Sequence, residues 1–198
     1  MKSTDLHPLL EAEFESVMII LNSRATTKTV DAFVLSWVKL EKQLRKIFCF
    51  LIYQQSTIDR TNYEQLVNVL VKNPKLSPRT FIAAIDLICT TTVRQMIGDD
   101  YEKLRVHLSR IRDQRNKIAH GMVTGKGISS KSLELDISIL IDWITKLAQG
   151  AKLAIGYDGL VRNTFRSSKT SNIIAVSNWP FDSIATFEVW LTSLSNDG

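Results

Sequence analysis

Residues 31–53 read DAFVLSWVKLEKQLRKIFCFLIY. Phe33, Trp37, Leu40, Leu44, Ile47 and Leu51 recur at steps of three and four, which lays them along one helix stripe. Val34, Val38, Phe48 and Ile52 make other faces apolar as well, so this helix is expected at the centre of the fold. The same spacing repeats outward from it. Leu10, Phe14, Val17 and Leu21 carry it before this helix, and Leu133, Ile137, Leu140, Ile144, Leu147 and Ala151 carry it after. A shorter helix over 62–72 stops at Asn73-Pro74. Ser77-Pro78 places an N-cap residue before a proline at the first helical position. That helix is expected to run to about Ile97, with Phe81, Ile85 and Ile88 on its stripe and Gly98 ending it. Asp99 and Asp100 put negative charge at the start of the next helix, over 101–119, where the macrodipole favours it. Gly121 lies just past its end.

These segments predict an all-α protein, an up-and-down bundle of about five to six helices over residues 1–157. The closing helix of that bundle covers 131–155, with Ser129 and Ser130 as its caps. Residues 158–198 read as a C-terminal extension. It starts from the turn Gly156-Tyr157-Asp158-Gly159, continues with a short extended segment at 172–177 (NIIAVS), and ends in an amphipathic helix over 181–194. The chain carries no internal repeat and no low-complexity segment.

A chain of 198 residues is long enough to bury a core without disulfide staples. Its 44% hydrophobic content argues against disorder. The longest apolar runs fall far short of the ~20 residues that span a bilayer. The opening MKSTDLHPLLEAEFE is acidic where a signal peptide would be basic and then apolar. A cytoplasmic location with no membrane partner is therefore expected. Cys49 and Cys89 lie in apolar helical segments and suggest neither a disulfide framework nor a metal cluster. His7 precedes Pro8 near the terminus, and His107 flanks the Leu104/Leu108 stripe as a boundary residue. Three scattered histidines give no metal-ligand spacing, so neither a metal nor another cofactor is expected. The loop GMVTGKGISSK at 121–131 lacks the G-x4-G-K-[ST] spacing and a preceding strand. It reads as a flexible basic loop and not as a P-loop.

The charge has an address. Lys and Arg number 25 against 20 Asp and Glu, a net +5. Residues 94–131 hold nine basic and four acidic side chains, so the whole surplus falls there and the rest of the chain is balanced. A localised basic stripe is the footprint of a polyanion partner; its plain alternative is a solvated helix face.

Within that segment Leu104, Leu108, Ile111 and Ile118 form a stripe in which position 115, by the same steps, should be apolar. It is Arg115. A guanidinium at a core position is costly unless it is paired or reaches water. At 100° per residue Arg112, Arg115, Asn116 and His120 fan across an arc of about 140° at the end of the helix. Either Arg115 snorkels from the helix end or pairs with a buried carboxylate such as Glu41, or this polar wedge faces a cleft or a second subunit where an anion is held.

The string Arg115-Asn116-Lys117-Ile118-Ala119-His120, followed by Gly121, resembles the R-x4-H motif of the HEPN superfamily (higher eukaryotes and prokaryotes nucleotide-binding). In that family the motif sits near the end of a helix late in a helical bundle, often with a polar residue directly after the arginine, as Asn116 is here. The resemblance spans roughly residues 31–155 and does not extend over the C-terminal 40. It implies a metal-independent endoribonuclease, or a catalytically dead relative. It also implies a homodimer in which two motifs meet across a composite cleft. The small plasmid-borne and defence-associated members are the most similar branch, which implies a toxin or phage-defence effector.

Carried over residue by residue, Arg115 and His120 are the implied catalytic pair and Asn116 their polar helper. Histidine exchanges protons near neutral pH, and an arginine fork matches phosphate oxygens. Arg112, Lys117 and Lys126 are expected to hold flanking phosphates of an RNA or nucleotide partner. In the toxin branch paired with a small nucleotidyltransferase antitoxin, a tyrosine two residues past the histidine is the modified side chain. Here that position is Met122, a departure that removes it. The alternative is a non-catalytic helical module that binds a nucleotide, RNA or a protein regulator.

Overall fold

Apolar side chains around most of the second helix draw other helices onto it, while Asp31, Val38, Lys42 and Arg45 leave one face to solvent. The computed structural model of the chain describes residues 6–55, 60–72, 76–121, 128–161 and 181–196. In chain order the helices are α1 (Leu6–Leu21), α2 (Lys28–Tyr53), α3 (Arg60–Lys72), α4 (Pro78–Ile88), α5 (Val93–Ile97), a single 3-10 turn (Gly98–Asp100), α6 (Tyr101–Ala119), α7 (Ser130–Ile155) and α8 (Ile184–Asn196). The protein is an all-α helical bundle, and no strand occurs among the described residues.

Phe33, Leu40, Leu44, Ile47, Phe48, Leu51 and Ile52 of α2 have no solvent exposure. Each such side chain contributes roughly 1.5–3 kcal/mol by leaving water. α7 is its main partner, burying Leu133, Leu140, Trp143, Ile144 and Leu147 completely. α1 and α4 also pack on α2, while α6 lies against α7 and touches α2. No helix among the described residues is long and apolar enough to cross a membrane.

The helix expected from Ser77 to about Ile97 is instead two. Its start follows the sequence, with Ser77 Oγ accepting the Thr80 N–H at 3.3 Å and Pro78 in the first turn. α4 ends at Ile88 because Cys89 turns extended, with φ −103° and ψ 142°. The β-branched run Thr90-Thr91-Thr92 follows, which is poor helix interior. Thr92 then opens α5 with a reciprocal cap. Its Oγ1 accepts the Gln95 N–H at 3.2 Å, and Gln95 Oε1 accepts the Thr92 N–H at 2.8 Å. Asp86 Oδ1 reaches across the break to the Val93 N–H at 2.6 Å. These side chains satisfy the backbone groups that a continuous helix would have paired internally.

α5 crosses α7 at Gly150, where backbone approaches backbone. A Cβ there would lie 1.8 Å from the Met96 carbonyl oxygen. Gly150→Ala is expected to destabilise the chain by about 2 kcal/mol through forced separation of the two helices. At ~2–4 °C per kcal/mol, a thermal melt reads this as a loss of about 4–8 °C.

The corner after α7 is buried. Gly156 ends the helix in the left-handed region. Gln43 Nε2 donates to the carbonyls of Ile144 at 3.0 Å and Asp158 at 3.1 Å. Asp158 Oδ1 accepts the N–H groups of Leu160 at 2.8 Å and Val161 at 3.2 Å. At Gly159, with φ +75°, a Cβ would meet Gln43 Cγ at 2.7 Å, so only glycine fits. α8 packs on α3 and α4 and sinks Phe187 and Leu191 into the same core, where Phe187 lies 6.1 Å from the Phe48 ring. The segment expected to be extended at 172–177 lies outside the described residues.

Neither Cys49 nor Cys89 is in a disulfide. Burial pushes the Cys49 thiol up to about 12 and raises that of Cys89 as well. Since the thiolate is the reactive form, Ellman's reagent at pH 8 is expected to label the folded chain far more slowly than the chain in guanidinium.

Candidate functional site at the end of α6

α6 divides into three faces. Leu104 and Ile111 are buried in the core, with Leu108 and Ile118 partly buried beside them. A second face is a structural seam with α7. There Arg110 holds Asp136 in a two-pronged ion pair, Nη1 to Oδ2 at 3.0 Å and Nη2 to Oδ1. The Asp136 side chain is wholly buried, whereas that of Arg110 is 40% exposed. Burial pushes the Asp136 carboxyl above its ordinary range, and the Arg110 bonds and charge pull it back. Gln114 Nε2 extends the seam to Ser132 Oγ at 3.4 Å.

Arg115 opens the third face. It is half-buried, and its Nη1 donates to Asn116 Oδ1 at 3.2 Å. Across from it on α2 stands Glu41, whose Oε1 accepts Trp37 Nε1 at 2.8 Å. Burial raises the Glu41 carboxyl above its ordinary range, opposed by the Trp37 bond and by the charges of Arg115 and Arg45. The odd arginine of the stripe therefore has both water and a carboxylate within its field.

His120 is the C-terminal residue that caps α6. Its backbone N–H donates to the Asn116 carbonyl at 3.0 Å, and Gly121, at φ +74°, turns the chain away. The imidazole is exposed, as are the side chains of Asn116 and Lys117. Arg112 is half-exposed and leans its Nε to Asp113 Oδ1 at 3.5 Å. Lys126 and Met122 lie outside the described residues.

The structure thus brings Arg115 and Asn116 together. His120 sits five residues on, as the cap of the same helix end. Part of the basic surplus is spent internally. Arg94 and Arg105 both face Glu102, at 3.6 and 2.9 Å, and Arg110 belongs to Asp136. Among the described residues of the segment, Lys103, Lys117 and Lys131 stay exposed, Arg115 half-buried, and Arg112 half-exposed beside Asp113.

Sequence reasoning missed the Arg110–Asp136 pair. Its signal was an aspartate interrupting the apolar stripe of α7 between Leu133, Ile137 and Leu140. Among the described residues no group of three His, Cys, Asp or Glu side chains is placed to hold a metal ion. No family model, curated protein or solved structure matches this chain.

Proposed function

We propose that the chain is a metal-independent endoribonuclease of the HEPN type, acting as a homodimer in a toxin or phage-defence role. One observation carries the reading. At the end of α6, Arg115 replaces an apolar side chain and stays half-open to solvent, tied to Asn116, with the exposed His120 at the helix end.

The chemistry needs no metal. One histidine takes the proton of the ribose 2′-OH, the 2′-oxygen attacks the adjacent phosphorus, and the bond to the 5′-oxygen breaks as that oxygen is protonated. A 2′,3′-cyclic phosphate remains. Two copies of His120 supply base and acid, and Arg115 holds the charge that builds on the phosphate oxygens. The second copy supplies the second imidazole that the acid and base roles need. A cytoplasmic location fits a substrate of cellular RNA.

The test is paired. In solution the chain should have twice the 22.4 kDa mass of one copy. The same preparation should cut single-stranded RNA in excess EDTA. A strictly monomeric chain that still cuts would remove the composite centre.

One observation favours a second reading, a non-catalytic module that binds a nucleotide, RNA or a protein regulator. Glu41 stands close enough to Arg115 to be part of its electrostatic setting. Salt-sensitive RNA binding without turnover would identify that module.

A further inference from the structure

Between α4 and α6 runs a groove of about 490 Å³, floored by Trp37 of α2. Arg79 and Ile82 line it from α4, and Arg105, Leu108 and Arg112 line it from α6. Asp86 and Tyr101 mark one end. They are close enough that the Asp86 charge adds to burial in raising the Tyr101 hydroxyl above its ordinary range. From that end each helix leads away along the groove. Arg79 lies two turns back on α4, about 10 Å, and Arg112 three turns on along α6, about 16 Å. Both arginines line the groove away from its Asp86–Tyr101 end, Arg112 with Asp113 at 3.5 Å from its Nε, and the N-terminus of α4 brings its positive dipole end to the Arg79 side. Arg105 lies between, held at its Nε by Glu102.

The two halves of the groove ask for different chemistry in one ligand. The arginines present planar forks suited to phosphate oxygens, and arginines around one opening repel each other until an anion sits between them. Ile82 and Leu108, with the buried Trp37 beneath them, offer an apolar wall that a bare anion does not need and a flat base does. The volume is that of a small-molecule site. We propose that this groove seats a nucleoside phosphate, its phosphate on Arg79 and Arg112 and its base against Ile82, Leu108 and Trp37.

Arg112 precedes Arg115 by one turn on the same side of α6, so the seat adjoins the wedge. Its use as the place where a nucleotide beside the scissile bond rests depends on the ribonuclease reading; the seat itself does not.

The experiment is a titration of the full chain, carried out also with His120→Ala. Adenosine and guanosine 5′-monophosphates, inorganic phosphate and a short single-stranded oligoribonucleotide are the probes. Calorimetry and tryptophan fluorescence are the readouts. A nucleotide should bind saturably and at least about tenfold tighter than inorganic phosphate. Arg79→Ser should weaken it about tenfold or more, and Ala83→Trp, which fills the groove from an exposed position on α4, should abolish it. Competition between oligoribonucleotide and nucleotide makes RNA the source of the phosphate; nucleotide binding without competition makes it a free nucleotide.

The proposal is overturned if inorganic phosphate binds as tightly as the nucleotide. It also falls if no nucleotide or oligoribonucleotide saturates, or if both variants bind as the parent does while melting normally. Binding without cleavage overturns the ribonuclease reading alone. Cleavage with unchanged KM in Arg79→Ser and Ala83→Trp overturns the use of the seat by the RNA substrate and leaves a free nucleotide as its occupant.

Discussion

Arg115→Ala and His120→Ala are each expected to slow RNA cleavage in EDTA by at least about 10²-fold. Losing a proton-transfer group costs typically 10²–10⁴, and losing a donor to the developing charge costs about 10²–10³. The double variant should be scarcely worse than the poorer single one, because the two groups serve one transition state. Arg115→Lys should recover only part of the rate, since a lysine keeps the charge but lacks the planar fork. Single-stranded DNA should stay intact throughout for want of a 2′-OH. Neither side chain is buried, so the variants should melt close to the parent. Cleavage that survives both substitutions, or that requires Mg²⁺, rules this centre out.

Arg110→Ala should cost about 3 kcal/mol, the low end of what removing one partner of a buried ion pair costs, because the arginine itself reaches water. The melting temperature should fall by about 6–12 °C. The pH dependence has a definite sign. Burial already raises Asp136 in the folded chain, and loss of Arg110 removes the charge that pulls it down. The folded variant then keeps this proton to a higher pH than the unfolded chain, whose aspartates titrate near 3.9. Its deficit is therefore smallest in acid and grows as pH rises through the raised value. Melts of both chains from pH 4 to 8 check this; a deficit independent of pH would mean that Asp136 is not the group left exposed to its surroundings. Replacing Asp136 by leucine in the Arg110→Ala chain should restore most of the loss.

Much of the bundle is legible in local pattern. The stripe from Phe33 to Leu51 places α2, Ser77-Pro78 starts α4, and Ser129 caps α7 through the Ser132 N–H at 3.2 Å. The break at Cys89 is not, because the apolar rhythm continues through it. What stops the helix there is a set of side-chain bonds, Asp86 to Val93 and Thr92 to Gln95, stronger locally than the rhythm. At the wedge, the arginine in an apolar stripe is visible in sequence, and its Asn116 contact follows from adjacency. Glu41 is harder to place, since its nearness to Arg115 depends on how α2 meets α6. The Arg79 groove is invisible for the same reason: three separate elements build it, and no spacing along the chain joins them.

α8 has a consequence for how the protein comes into being. Phe48 and Phe81, in the first half of the chain, share their core with Phe187, which is translated later. A nascent chain leaves the ribosome at about 5–20 residues per second. Until Phe187 emerges, α4 packs on α2 and the apolar surface that α8 covers stays open. An incomplete polypeptide is thus held short of its finished shape for several seconds.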